Sequence, residues 1–237
     1  MQKMLSQLRR CIDEYNMIEE NDKIIVGVSG GKDSTVLLRL LAELRRFYPK
    51  KYELYAVSLD LGMGMDYSPM VELCKTLDVP YIIKKTDIKQ VVFDIRKESN
   101  PCSLCAKMRR GALNDVTLEL GAKKVALGHH EDDAIETFFL SLFYEGRLNT
   151  FMPVTFLDRT GVTQIRPLLY LSERKIANFA SKENLPVLHN PCPADKVTKR
   201  EDVKKLIKQL EGQFPDLKKH VFGGIQRLPL PGWEREI

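Results

Sequence analysis

The 237-residue chain is poor in the features that mark several large classes of protein. No apolar run approaches the ~18 residues that a membrane-spanning helix needs, so no membrane association is expected. The N-terminal stretch MQKMLSQLRRCIDEYN is charged and amphipathic. It lacks the apolar centre and small-residue cleavage site of a secretory signal, and a cytoplasmic location is the expectation. There is no internal repeat and no low-complexity segment. Cysteines are few and odd in number, five in all, so a disulfide framework is not expected and metal or redox roles gain weight. Neither sign of charge dominates. The net charge of +5 permits an anionic partner without requiring one. What is present is an ordinary globular composition, 43% hydrophobic and 29% charged, enough to bury a core in one domain with or without an appendage.

Short apolar segments alternate with helical periodicity. Lys23 to Ser29, Tyr52 to Asp60, Tyr81 to Lys84 and Lys124 to Gly128 read as strands, three of them continuous in apolar residues at their centres. Between them, Asp33 to Phe47 has Val36, Leu37, Leu40, Leu41 and Leu44 at helical spacing, and Val71 to Leu77 and Glu131 to Tyr144 also read as helices. This alternation predicts an α/β, doubly wound, mostly parallel sheet with ligands beyond the carboxyl ends of its strands. After Gly146 a hairpin around Asp158 to Gly161 is expected, then helices at Ser172 to Glu183 with Ser172 as N-cap, Glu201 to Leu210, and Asp216 to Phe222. The expected organisation is an N-terminal amphipathic helix (1–22), a nucleotide-binding domain (23–170), and a small C-terminal helical extension (171–237). The N-terminal helix has no evident partner in the sequence, which makes a homodimer an expectation. Basic residues cluster at Lys107, Arg109 and Arg110, and along Lys196, Lys199, Arg200, Lys204, Lys205 and Lys208. The second set is also what a solvated helix face looks like.

The strongest local signal is Ser29-Gly30-Gly31-Lys32-Asp33-Ser34, placed directly after a strand and opening a helix. Two glycines allow a tight turn and close approach of a ligand, and the helix N-terminus presents free N–H groups suited to phosphate. Ser29 and Ser34 can add hydroxyl hydrogen bonds and Lys32 charge. Asp33 and Ser34 are expected at a solvent-facing helix start. The loop is not a Walker A motif: Val26 stands where the first glycine belongs and Asp33 follows the lysine. SGGKDS does resemble the signature of PP-loop ATP pyrophosphatases, which split ATP into AMP and pyrophosphate and transfer AMP to a substrate. That resemblance implies pyrophosphate bound by Ser29, Gly30, Gly31, Lys32, Asp33 and Ser34, with Asp60 near the adenosine.

A second cluster, Gly128-His129-His130-Glu131-Asp132-Asp133, opens a helix after the fourth strand. Hard oxygen ligands there suit Mg²⁺, though acidic residues in a first helical turn are also favoured by the helix dipole alone. LGHHEDDAIETFFLSLFY resembles the corresponding segment of the tRNA-modifying PP-loop enzymes. What that implies is a role for Gly128, His129, Asp132 and Asp133 in holding ATP, Mg²⁺ or the reacting base.

Cys102 and Cys105 form C-x-x-C, and Cys192 stands in HNPCPAD. Cys11 and Cys74 lie in helical stretches as small buried residues. The spacing of the other three leaves open a redox pair, a Cys3His zinc site completed by His189, or a 4Fe–4S cluster with one iron lacking a protein ligand. The ordered set SGGKDS, PCSLCAKMRRGAL, LGHHEDDAIETFFL, QIRPLLYLSERKIANFA and the late Cys192 resembles the tRNA 2-thiocytidine synthetase (TtcA) family from about Lys23 to Leu210. The resemblance implies a 4Fe–4S cluster on Cys102, Cys105 and Cys192, ATP with Mg²⁺, a sulfur donor, and a tRNA anticodon-loop cytidine whose C2 oxygen is adenylated and replaced by sulfur. Catalytic roles fall on Asp33, Lys32, Asp133 and Arg109, with Arg109 and Arg110 pairing with RNA phosphate or with AMP. Lysidine or thiouridine synthesis, and a metal protein that binds ATP without turnover, are the competing readings.

Overall fold

The computed structural model describes residues 1–96, 101–189, 191–192 and 199–227. Its sheet is organised around β1 (Asp22–Gly27), whose Ile24, Ile25 and Val26 are wholly buried and can therefore take neighbours on both edges. β2 (Tyr52–Asp60) and β4 (Lys124–Ala126) pair with it in parallel, β3 (Tyr81–Lys85) extends the sheet beyond β2, and β6 (Val162–Ile165) extends it beyond β4. β5 (Val154–Leu157) closes the far edge as the antiparallel arm of a hairpin. The strand order is β3-β2-β1-β4-β6-β5, with β1 at the reversal of winding where open α/β sheets place their ligands. The α/β sheet and the hairpin are as the sequence predicts. β1 and β4 stop two residues earlier than expected because Val28 to Gly31 and Leu127 to Gly128 leave the ladder to build the loops of the site.

α2 (Lys32–Leu44) packs under β1 and β2 through Val36, Leu37, Leu40, Leu41 and Leu44. α3 (Ser68–Thr76) buries Met70 and Cys74. A π-helical segment (Gln90–Arg96) precedes α4 (Pro101–Glu119), which crosses the sheet and touches β2, β4 and β6. α5 (Glu131–Leu140) runs into a π-helical turn (Ser141–Glu145), so the helix expected to reach Tyr144 is ideal only to Leu140.

The N-terminal helix α1 (Gln2–Glu14) does have a partner. Met4, Leu5, Leu8, Cys11 and Ile12 bury its apolar stripe against α2 and a 3₁₀ turn (Pro167–Tyr170). Gln7 donates to the Tyr170 carbonyl at 3.0 Å, and the Tyr170 hydroxyl donates to Glu14. The argument for a homodimer from an unpartnered helix therefore falls: the partner is a segment some 160 residues away in the chain. α6 (Glu173–Lys182) lies on α2, and α7 (Lys199–Gln213) and α8 (Leu217–Arg227) lie on α5. Ser172 holds the N-cap position of α6 with extended backbone, but its hydroxyl makes no capping bond. Lys196, and the parts of the C-terminal extension at 193–198 and 228–237, lie outside the described residues.

Candidate active site

The loop after β1 is braced by its own side chains. The Ser34 hydroxyl accepts from the Ser29 N–H at 3.1 Å and donates to the Gly31 carbonyl at 3.0 Å, with the Ser29 hydroxyl 3.2 Å away. Ser34 is thus buried, not solvent-facing as expected, because its hydroxyl turns inward to the loop, where the Gly31 carbonyl also accepts from the Thr35 N–H and hydroxyl. Gly30 adopts φ +85°, and a side chain there would also meet Leu188 Cβ at 3.0 Å. The Leu188 N–H donates to the Gly30 carbonyl at 2.8 Å, so the segment before Cys192 is laced across the phosphate loop. Gly128 has a different reason to be glycine: a Cβ would lie 2.9 Å from the Ser34 nitrogen. Its role is to let the β4 loop touch the start of α2.

A cavity of about 580 Å³ opens above these loops. One end, over β2, is apolar: Val57, Leu59, Leu61, Met65 and Tyr67. Ser29, Gly31, Asp33 and Ser34 form its middle, and His129, Asp133, Gln164 and Arg166 its polar end over β4 and β6. Ala106, Arg109, Arg110 and Leu113, one stripe of α4, form a wall. The cavity thus receives Asp33, Asp133, Arg109, His129, Gly128, Gly31, Ser29 and Ser34 from the expected set.

The expected residues Gly30, Lys32, Asp60 and the cysteines Cys102, Cys105 and Cys192 do not line it. Gly30 is covered by Leu188. Asp60 accepts the Gly62 N–H at 2.9 Å, closing the turn after β2. Lys32 turns to Glu173 at 3.0 Å on α6. Burial alone would lower the Lys32 pKa, but the carboxylates of Asp33 and Glu173 outweigh it and raise the value.

Asp33 Oδ1 is buried and accepts no hydrogen bond, although the Lys32 ammonium lies 3.2 Å away and His130 Nε2 3.7 Å away. A carboxylate oxygen left in this state, with Asp133 on the same cavity wall, fits a hard divalent cation such as Mg²⁺. His129 packs against Phe151 with centroids 5.0 Å apart, and its Nδ1 is buried without a partner. Burial, with Arg166 nearby, holds its pKa down to about 4, so the ring is neutral near pH 7.

Cys102 and Cys105 lie within the first turns of α4, not before it, because Pro101 starts the helix ahead of them. Cys102 and Cys105 are spaced to share a helical stripe with Arg109, but of these three only Arg109 lines the cavity. The Cys105 thiol is raised in pKa by burial; Arg109 opposes this, and Cys192 and Cys102 add to it. Cys192, from the C-terminal part of the chain, thus comes within electrostatic reach of Cys105. His189 is exposed. Cys11 and Cys74 are buried core residues, as expected. Among the described residues no group of three His, Cys, Asp or Glu side chains stands in metal-binding geometry, so it is the thiolate chemistry of Cys102, Cys105 and Cys192, and not their placement, that suits a 4Fe–4S cluster with one iron free of protein ligands.

Behind the cavity lies a second set of charges that sequence reasoning missed. Asp132, grouped with the ligands in the sequence, points away from the cavity: it accepts the Glu173 N–H at 2.6 Å and the Lys218 ammonium at 2.9 Å. Arg200 bonds Glu136 at 3.1 Å and Thr137 at 3.1 Å, and Lys204 bonds Glu173 at 2.8 Å. Two cations of the basic run on α7 are therefore internal partners and not a solvated face. His130 was missed too. It is the N-cap of α5, where its Nδ1 accepts the Asp133 N–H at 3.3 Å while Asp133 accepts the His130 N–H at 2.9 Å. The available signal was the acid three residues on.

The family model of the PP-loop domain matches residues 2–210. The chain is 37% identical over 231 residues to the tRNA-cytidine(32) 2-sulfurtransferase of Bordetella avium, covering 95% of this chain and 73% of that protein. The protein of the same name from Syntrophotalea carbinolica is 38% identical over 220 residues, 91% and 85% of the two chains. Among solved structures, the U34-tRNA thiolase NcsA from Methanococcus maripaludis with its [4Fe-4S] cluster is similar with a TM-score of 0.77 at 26% identity, over 94% of this chain and 77% of that one. An NH3-dependent NAD synthetase from Campylobacter jejuni, at TM-score 0.50 and 19% identity, shares the fold.

Proposed function

The chain belongs to the PP-loop family and, within it, to the tRNA-cytidine 2-sulfurtransferases, and from that premise we propose how its residues divide the work. It is an ATP-dependent tRNA thiolation enzyme. Its substrate base is a cytidine of tRNA, position 32 by the names of its relatives.

The C2 oxygen of cytosine is a poor leaving group, and AMP on that oxygen makes it a good one. The oxygen attacks the α-phosphorus of ATP, the bond to the β-phosphate oxygen breaks, and pyrophosphate leaves. The backbone of Gly31, the first N–H groups of α2 and the hydroxyls of Ser29 and Ser34 receive the charge that develops on pyrophosphate. Adenosine occupies the apolar end of the cavity, against Leu59, Leu61 and Tyr67. Asp33 and Asp133 hold Mg²⁺, which neutralises phosphate charge when bound. Lys32 is held by Glu173 beside this site. A sulfur nucleophile then adds to C2 and AMP departs, its charge met by Arg109 and Arg110 on α4. A 4Fe–4S cluster on Cys102, Cys105 and Cys192 supplies that sulfur when bound.

The observation that carries this reading is one cavity lined by the phosphate loop, Asp33, Asp133 and Arg109, with Cys105 on the same helix as Arg109 and within electrostatic reach of Cys192. Cys192→Ala is expected to lose iron and tRNA thiolation while ATP affinity survives, and His189→Ala to keep the metal. Metal content, the anaerobic absorption spectrum and thiolated-nucleoside analysis measure this. One tightly bound zinc per chain, lost in His189→Ala, would instead establish the closed Cys3His site.

A further inference from the structure

Buried polar atoms without partners are uncommon in folded proteins. Among the described residues the side-chain atoms in that state are Asp33 Oδ1, Asn114 Oδ1, His129 Nδ1 and Arg166 Nε. Three of these four belong to residues that line the cavity described above. Asp33 has been placed in its chemistry and His129 on its wall; Arg166 has no role yet.

Arg166 follows β6 directly and is 6% exposed. Its guanidinium is pinned: Nη1 donates to the Met152 carbonyl at 2.6 Å and to Thr155 Oγ1 at 3.0 Å, and Nη2 to Gln164 Oε1 at 3.4 Å. Its Cζ lies 5.1 Å from the centre of the Phe151 ring, the ring that also packs on His129. No carboxylate pairs with it among the described residues, and burial together with Arg110 lowers its pKa to about 10, so it stays charged. Keeping a buried cation without an anion is costly unless a ligand answers it.

The strand order indicates which ligand. The phosphate loop follows β1, and the apolar end of the cavity lies on the β2 side. Arg166 lies on the opposite side, two strands from β1, roughly 10 Å at the usual strand spacing. ATP running from the phosphate loop toward β2 leaves that polar end for the second substrate. Cytosine presents two acceptors on its pairing edge, O2 and N3. O2 must stay free to attack phosphorus, which leaves N3. Uracil carries an N–H at that position, so a fixed donor repels it.

We propose that Arg166 is the specificity-determining residue for the target base, its guanidinium donating to cytosine N3 and so selecting cytidine over uridine. This rests on the thiolation reading above. The neutral His129, backed by Phe151, forms the adjoining wall, in keeping with how extruded bases are read by edge hydrogen bonds beside aromatic side chains.

The test pairs a protein change with an atom change in the RNA. Wild-type protein and Arg166→Met are each given anticodon stem-loops carrying cytidine or 3-deazacytidine, which replaces N3 with C–H, at the target position. The wild type is expected to prefer cytidine by roughly 10–100-fold in kcat/KM, the range for a hydrogen bond to a charged group. In Arg166→Met the ratio should fall to the intrinsic reactivity difference, common to both proteins, while ATP affinity stays unchanged. Equal ratios in the two proteins overturn the proposal. So does a loss of ATP affinity with the ratio preserved, which assigns the guanidinium to the nucleotide. If Arg166→Met does not fold, stem-loop affinity for the wild type decides: equal binding of the two RNAs overturns the proposal, and weaker binding of 3-deazacytidine supports it. Absence of thiolated product from native cytidine would instead undo the underlying functional reading.

Discussion

Two neighbouring aspartates on α5 have opposite surroundings. Asp133 is on the cavity wall beside His129 and Asp33. Asp132, one residue earlier, is enclosed on the far side of the helix by the Glu173 N–H and the Lys218 ammonium. A helix turns about 100° per residue, so a run of acids in its first turn must divide between faces. The cavity side keeps polar atoms without partners, on Asp33, His129 and Arg166. The far side leaves none on Asp132, Glu136 or Glu173. Unfilled valence marks where a ligand goes, and filled valence marks what holds the helices together.

The comparison is broken most severely on the cavity side. Asp33→Ala is expected to reduce pyrophosphate release by roughly 100–1,000-fold, the usual loss when one preorganised electrostatic group is removed. Its denaturation midpoint should stay near wild type, since Oδ1 accepts no hydrogen bond and the Lys32 ammonium that reaches Oδ2 at 3.3 Å keeps Glu173 as a partner. Single-turnover assays and urea titration measure the two effects. Turnover near wild type would take Asp33 out of the site.

The reverse pattern is expected one helical face away. Asp132→Ala removes the acceptor for the Glu173 N–H and leaves Lys218 without its carboxylate. A stability loss of about 3 kcal/mol is expected, typical of a broken buried pair. Pyrophosphate release per folded molecule should change little. A large catalytic defect in a stably folded Asp132→Ala protein would erase the distinction between the two faces.

The smallest effect belongs to Glu173, between Lys32 and Lys204. Burial would raise its pKa, but hydrogen bonds from Lys204 and Lys32 bring it down to about 2. A depressed carboxylate pKa means stability present above the unfolded value and lost as pH falls through the folded one. Glu173→Gln should cost about 1 kcal/mol at pH 7, given its partial exposure. The gap between the two proteins should close between about pH 4.5 and pH 2, read from denaturant midpoints across that range. A gap that persists below pH 2 would mean that geometry, not charge, is what Glu173 contributes.

Much of the fold was legible before the structure because it rests on local pattern. Lys23 to Ser29 and Tyr52 to Asp60 could be placed as parallel strands because buried strands of this kind are continuous apolar runs. SGGKDS announced a phosphate loop because glycine and a helix start meet there, whereas the spacing of Cys102 and Cys105 alone left redox and metal roles open. Within those motifs the sequence could not say which side chains face the ligand. Lys32 and Asp60 looked like site residues, but Glu173 and Gly62 occupy them.

The sequence by itself determined the α/β class, the place of the phosphate loop, and the family to which the ordered motifs belong, since each depends on residues near one another in the chain. Only the tertiary structure decided the rest. It covered the stripe of α1 with Pro167–Tyr170, laced Leu188 over Gly30, and set Arg166 at the end of the cavity opposite the apolar wall. Each of these is a contact across many residues of chain. Its existence depends on which buried surfaces meet, and no local spacing carries that information.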